Sequence, residues 1–382
     1  MTPYALTFIL AALLAFGLTP LTRWRTTRRR FLRSRTRPLT PLLDKPRVGG
    51  LIIFAAFCIA PFLAARLSPD VAALVDPKWR AIAGLCGAAF LVFLIGYLDD
   101  LSEMVWYVKL SGLVAAALVL YTLGYRLGEV SLPGGGTWHL GWLDLPATMI
   151  WILLVTNAVN YIDGHDGVAA GVSMLAAATL GFIAADLDHG LVAVLFIALA
   201  GSVAGFLPFN FPAASKHLGD SGALLLGMLL AALSISGFVD ETGRVPLYIP
   251  IVALGVPLLD TGLSFARRMM DGRSPFEGDE DHIHHRLARV LGMRPRPVAL
   301  AFYAYSLLFA LTALVLYFLR GTPWVPIAVP VTLTLMLLFI WRLGYHQTLW
   351  QSRAVRRLRR RKRVAAATPA ESDESTISTT GR

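Results

Sequence analysis

Long apolar stretches alternate with short polar ones along the whole chain, and each stretch is close to the ~20 residues that an α-helix needs to cross the hydrocarbon core of a bilayer. Eleven membrane spans are predicted, over 3–20, 48–66, 81–98, 106–124, 146–160, 167–185, 190–208, 221–239, 246–264, 299–319 and 323–343. Several contain Gly or Pro, which a lipid-embedded helix tolerates when neighbouring helices re-satisfy its backbone. The segment LGEVSLPGGGTWHLGWLDL at 127–145 breaks the pattern and reads as a Gly-turned hairpin with aromatic residues at a membrane interface.

The polar intervals differ sharply in charge. TRWRTTRRR follows the first span, whereas a secretory signal peptide carries its positive charge ahead of its apolar stretch. The span therefore reads as an anchor with its amino end outside and its carboxyl end in the cytoplasm. Threading the remaining spans from there places 29 of the 35 Lys and Arg residues on cytoplasmic segments, counting Lys109 and Arg342 at span edges. That bias is the expected one, and an error of one span would scramble it. The organisation that results is a single transmembrane domain, 1–343, with one long cytoplasmic loop at 265–298, followed by a basic cytoplasmic tail, 344–382. Within the tail RAVRRLRRRKRV reads as a basic helix on the inner membrane face, and AAATPAESDESTISTTGR has the composition of disorder.

Composition agrees. The chain is 56% hydrophobic and 15% charged, against roughly 45–50% and about 25% in soluble domains. The fold class is therefore an all-α polytopic integral membrane protein. The net charge of +11 is a membrane-surface property, through attraction of basic segments to anionic lipid, and nucleic acid is not an expected partner. Cys58 and Cys86 both fall inside spans and read as small buried hydrophobes, not as a disulfide or metal site. No internal repeat is evident.

Against this background FLVFLIGYLDDL, residues 90–101, is unusual, because an apolar run ends in two adjacent carboxylates. Each costs about 2.5–3.5 kcal/mol to insert at the centre of a membrane helix. A solvated helix end explains Asp99 and Asp100 equally well when they are taken alone. Yet NAVNYIDGHDG at 157–167, FNFPAASKHLGDSG at 209–222 and GDEDHIHHRL at 278–287 fall on the same side of the predicted topology. Four loops thus bring Asp, Asn, His and Lys to one face. Carboxylates become favourable neighbours when a divalent cation or a transferable proton sits between them and a phosphate. The Gly residues of DGHDG and LGDSG fit ordinary turns and also let backbone N–H groups approach an anion. His282, His284 and His285 alone are weak evidence for zinc.

At these residues the chain resembles the polyprenyl-phosphate N-acetylhexosamine-1-phosphate transferase family, bacterial membrane enzymes that begin cell-envelope glycan assembly on a lipid carrier. The resemblance runs from about residue 44 to 290. It rests on PRVGG at 46–50, the Asp pair with Lys109 ten residues after Asp99, NAVNYIDGHDGVAAG, GDSG running into LLLG, and D-x-x-H-I-H-H at 279–285. The HIHH form looks more like the branch that uses simple UDP-N-acetylhexosamines, UDP-N-acetylglucosamine foremost, than the muramoyl-pentapeptide branch of peptidoglycan synthesis, which is the alternative.

The resemblance implies a chemistry. A polyprenyl (undecaprenyl) phosphate oxygen attacks the β-phosphorus of a UDP-sugar, giving lipid-diphosphate-sugar and UMP, so no ATP is consumed. That agrees with the absence of any G-x-x-x-x-G-K-[ST] loop. It further implies Mg²⁺, with Mn²⁺ as a substitute, held by Asp220 with Asn160. Catalytic roles fall to Asp99, Asp100, Lys109, His282, His284 and His285, and substrate contacts to Arg47, Asn157, Asp163, Asp166 and His217. His217 stands where relatives often carry Phe to stack on uracil. Expected partners are the UDP-N-acetylhexosamine donor, the polyprenyl phosphate acceptor and membrane lipid, with a homodimer allowed, and the expected location is the bacterial inner membrane. A transporter is the rival from another class, but it would place polar groups near the bilayer midplane and often shows inverted repeats.

Overall fold

The computed structural model of the chain describes residues 3–22, 47–102, 104–132, 136–237, 244–270 and 294–320, together with Thr322, Trp324, Ile327, Pro330, Val331 and Thr334. The apolar runs wind into helices: α1 (Pro3–Leu21), α2 (Gly49–Leu67), α3 (Pro69–Val75), α4 (Trp79–Ser102), α5 (Trp106–Thr122), α6 (Asp144–Tyr161), α7 (Val168–Asp186), α8 (Gly190–Asn210), α9 (Gly219–Ser236), α10 (Tyr248–Ala253), α11 (Gly255–Met270) and α12 (Pro295–Phe318). Among the described residues eight helices are long and apolar enough to cross a membrane, and α5 is a shorter apolar helix. The protein is a multi-pass, all-α membrane protein. Most of the predicted span 323–343 and all of the tail 344–382 lie outside the described residues.

Burial follows position in the bundle. Helix α9 is apolar all round, and its side chains from Ser221 to Ile235 are buried, as expected of a helix surrounded by others. It packs against α4, α6 and α2. Helix α1, at the rim, leaves Leu13 and Phe16 exposed. Helix α11 is inside-out relative to a water-soluble helix. Asp260, Ser264 and Arg268, four apart, form a buried polar stripe, while Phe265 and Met269 are exposed, which is what a lipid solvent selects.

One predicted span is corrected. The stretch 246–264 is not one helix but two, α10 and α11, separated by a turn at Leu254. Pro257 has no N–H to return to the carbonyl of Ala253, so the ladder is interrupted there. Cys58 and Cys86 are free thiols, with no disulfide between them, but they are half-buried rather than buried and their Sγ atoms lie 3.0 Å apart.

The helices alternate in direction, so the bundle has two distinct ends. At one end β1 (Glu129–Ser131) and β2 (Thr137–His139) form the expected hairpin, and β3 (Arg244–Val245) adds in parallel to β1. Asp144 holds this end together by accepting the Gly128 N–H (2.8 Å), the Tyr121 hydroxyl (3.0 Å) and the Thr148 hydroxyl (3.2 Å). Arg66, Lys78, Arg80, Arg126, Arg244 and Arg320, the basic residues assigned outside, fall at this end or just within it. The other end carries the carboxylates.

Candidate active site

Seven segments meet at that end: the start of α2, the end of α4, the start of α5, the end of α6 with its following turn, the end of α8, the loop 211–218 and the start of α9. Lys109, one turn into α5, is the hub. Its Nζ donates to Asp99 Oδ2 (2.8 Å), to Asp220 Oδ2 (3.0 Å) and to Asn160 Oδ1 (3.4 Å). The amide of Asn160 donates in turn to Asp220 Oδ1 at 2.9 Å. Asp99 also accepts the Met104 N–H at 2.6 Å, which turns its carboxylate back over the α4–α5 connection. Four residues of the sequence reading, Asp99, Lys109, Asn160 and Asp220, therefore form one contact network.

Asp100 is next to Asp99 in the chain, but it faces another helix. Its two oxygens accept the backbone N–H groups of Asp220 (3.0 Å) and Ser221 (3.1 Å), and Oδ1 also accepts Arg47 Nη1 at 3.1 Å. Its side chain is only 3% exposed. The first N–H groups of a helix have no partner within it and attract negative charge, so Asp100 caps α9 from a distant helix. Two glycines make room. Gly219 has φ +74°, a left-handed conformation that L side chains rarely adopt, and a Cβ there would meet Asp100 Oδ2 at 2.6 Å. A Cβ on Gly96 would come within 2.5 Å of Ser221 Cα, so only glycine lets α4 approach the first turn of α9.

The turn between α6 and α7 forms the second part of the site. Asp166 accepts the Ala214 N–H at 3.1 Å and lies 3.2 Å from His217 Nδ1. His217 belongs to the same wall as Arg47: the two residues form a parallel bridge, and the His217 carbonyl accepts the Gly49 N–H at 3.1 Å. Asp163 feels the charges of Asp220, Asp100 and Asp166. Burial first, and then these neighbours, push its carboxyl well above the ordinary carboxylate range, with only Arg47 pulling it down. Burial pushes the His165 imidazole down, against the Gly164 backbone and Asp166. Asn157 points elsewhere, its amide donating to the Leu153 carbonyl one turn back at 2.8 Å. His282, His284 and His285 lie outside the described residues.

Two residues that organise this end were not singled out from sequence. Asn210, 2% exposed, accepts the Gly167 N–H at 3.2 Å and donates to the Lys216 carbonyl at 3.0 Å, tying the α6–α7 turn to the 211–218 loop. Tyr303 donates to the Gly167 carbonyl at 2.7 Å from α12. The available signal was an Asn closing an apolar helix in FLPFN.

Five carboxylates crowded at one end of the bundle leave a measurable trace. Asp163→Asn is expected to raise the thermal midpoint at pH 7–8 in the presence of a chelator, with the gain shrinking toward pH 4. A carboxyl whose folded pKa stands above its unfolded value of about 3.9 loses stability as pH rises from that value through the folded one. A midpoint at pH 8 no higher than that of the parent protein would separate Asp163 from the cluster.

Known proteins match this chain over the segments that carry the site. Residues 82–238, which include Asp99, Lys109, Asn160, Asp163, Asp166 and Asp220, match the family described as "Glycosyl transferase family 4". The chain is 32% identical over 272 residues to the "Probable undecaprenyl-phosphate N-acetylglucosaminyl 1-phosphate transferase" of Bacillus subtilis (strain 168), covering 71% of this chain and 73% of that one. It is 35% identical over 283 residues to the "Decaprenyl-phosphate N-acetylglucosaminephosphotransferase" of Mycobacterium leprae (strain TN), covering 68% and 70%. It is 31% identical over 277 residues to the "Phospho-N-acetylmuramoyl-pentapeptide-transferase" of Moorella thermoacetica, covering 71% and 84%. With relatives of this similarity matched over more than two thirds of their length, and with the acidic motifs brought together at one end of the bundle, the chain belongs to glycosyl transferase family 4, the sugar-phosphate transferases of the membrane.

Proposed function

We propose that this protein transfers N-acetylhexosamine-1-phosphate, with N-acetylglucosamine the foremost sugar, from a UDP-sugar to a polyprenyl phosphate and releases UMP. The observation that carries the reading is the Lys109 network, in which one ammonium joins the end of α4, the end of α6 and the start of α9. A lipid phosphate travelling in the bilayer arrives at helix ends, and a soluble nucleotide arrives at the same place from water.

In this reading the new bond forms between an acceptor phosphate oxygen and the donor β-phosphorus, and the bond from that phosphorus to the α-phosphate oxygen breaks. Asp99 orients the acceptor phosphate, and no strong base is needed because the second pKa of a phosphate monoester is near 6. Lys109 neutralises the donor phosphates as a point charge. Asp166, His217 and Arg47 line the nucleotide side. Asp100 acts through Asp220 by fixing the first turn of α9.

A divalent cation, Mg²⁺ with Mn²⁺ as substitute, belongs to the proposal. Among the described residues no three His, Cys, Asp or Glu side chains converge as ligands. Asp220 and Asn160 nevertheless offer adjacent hard oxygen donors, and the Asp220 side chain is 35% exposed on its open side. So sparse a protein set fits Mg²⁺, which keeps several waters and takes further oxygens from substrate phosphates. When bound, the ion would offset charge on the transferring phosphoryl group.

The test is an assay of purified protein with undecaprenyl phosphate and a panel of UDP-sugars. UMP release with UDP-N-acetylglucosamine is expected, whereas release only with UDP-N-acetylmuramoyl-pentapeptide would move the protein to the other branch. The proposed placement puts the carboxylate end in the cytoplasm of an inner membrane, with the amino terminus outside. In a Cys58→Ser, Cys86→Ser background, Trp142→Cys should react with a membrane-impermeant maleimide in intact cells, and Ala213→Cys only after the inner side is opened. Labelling of position 213 in intact cells would invert the orientation.

A further inference from the structure

The protein has only two cysteines, on different helices and 28 residues apart in sequence, and the fold brings their Sγ atoms to 3.0 Å. From this we infer that Cys58 and Cys86 are a modification site, a dithiol that a lipid-soluble two-electron oxidant of the quinone class closes to an intramolecular disulfide.

Position decides which oxidant can reach the pair. Cys58 sits at the centre of α2, nine residues from either end, and Cys86 lies seven residues into α4. At 1.5 Å per residue those separations are about 10–14 Å from the nearest helix ends, a depth filled by acyl chains. Both side chains are half-buried, and a Cβ added at Gly87, beside Cys86, would meet nothing within 4 Å, so the surface there is open to lipid. Exchange with a water-soluble disulfide needs a thiolate, and a charge is disfavoured at this depth. A quinone partitions into the same layer. Each thiol gives up its proton, the pair gives up two electrons, the S–S bond forms, and the quinone takes both electrons and both protons to become the hydroquinone. Closing the bond requires an approach of about 1 Å, to the usual S–S length near 2.05 Å.

The bond would link two helices whose carboxylate-side ends hold Arg47 and Asp100, themselves paired at 3.1 Å. Oxidation therefore reinforces a contact that already exists, and the oxidised form should melt at a higher temperature than the reduced one.

The experiment treats the full chain in native membranes with a water-insoluble, fully ring-substituted benzoquinone, which has no open carbon for thiol addition, then denatures it and counts free thiols with a polyethylene-glycol maleimide. Two labels are expected before treatment and none after, with both restored by tributylphosphine. Oxidised glutathione alone should leave both. Cys58→Ser and Cys86→Ser should each keep their one label through the same treatment. Retention of both labels in the parent protein after quinone, equal loss in the single-cysteine variants, equal oxidation by glutathione, or a lower melting temperature for the cross-linked form would each overturn the assignment.

Discussion

Asp220→Asn is expected to cut turnover by about three orders of magnitude or more and to leave a folded, extractable protein. The exchange keeps side-chain volume and removes one negative charge. In the fold that charge faces the Lys109 ammonium at 3.0 Å and the Asn160 amide at 2.9 Å. A cation stabilising charge on a transferring phosphoryl group is worth several kcal/mol, and each 1.36 kcal/mol is a factor of ten in rate. Folding should survive, because Lys109 keeps Asp99 at 2.8 Å and an asparagine oxygen can still accept from Asn160. The measurement is UMP release at saturating Mg²⁺, beside a thermal midpoint on the same preparation. Near-normal, Mg²⁺-dependent turnover in the variant would take Asp220 out of the cation site.

The bundle was largely legible in advance because hydropathy is a one-dimensional signal. Span length and the alternation of charged intervals are properties of the chain itself, and all ten predicted spans that fall largely on described residues overlap helices of the fold. The same alternation sorted the motifs to one end. Tertiary direction was not legible. Asp99 and Asp100 are adjacent on a helix and so point about 100° apart. Nothing in LDDL says that one turns to Lys109 ten residues further on and the other to an amide 120 residues away. Gly96 looks like any small residue in a membrane helix until the Ser221 backbone appears beside it. The buried stripe of Asp260, Ser264 and Arg268 has helical spacing in the sequence, but that spacing alone does not say whether it faces water or protein.

The separate directions of the Asp pair give the last expected result. Asp99→Asn should lower kcat and kcat/KM together, with little change in thermal midpoint, while Asp100→Asn should lower the midpoint as well as the rate. Asp99 engages Lys109 and the Met104 N–H, near the proposed reacting phosphates, and its side chain is 11% exposed. An interaction made only in the transition state shows as equal losses in kcat and kcat/KM. Asp100 holds two backbone amides of α9 and the Arg47 guanidinium, all of them donors. An asparagine there presents its own donor to one of them, and loss of a helix cap alone costs about 0.5–2 kcal/mol. Because Asp220 supplies one of those amides, the rate loss in Asp100→Asn comes from displacement of the first turn of α9. Asp100→Glu keeps both acceptors one methylene further out, where Gly219 leaves no spare room, and should recover stability only in part. Full activity of Asp99→Asn at saturating lipid would return the carboxylate pair to a solvated helix end. An unchanged midpoint in Asp100→Asn would remove Asp100 from its positioning role.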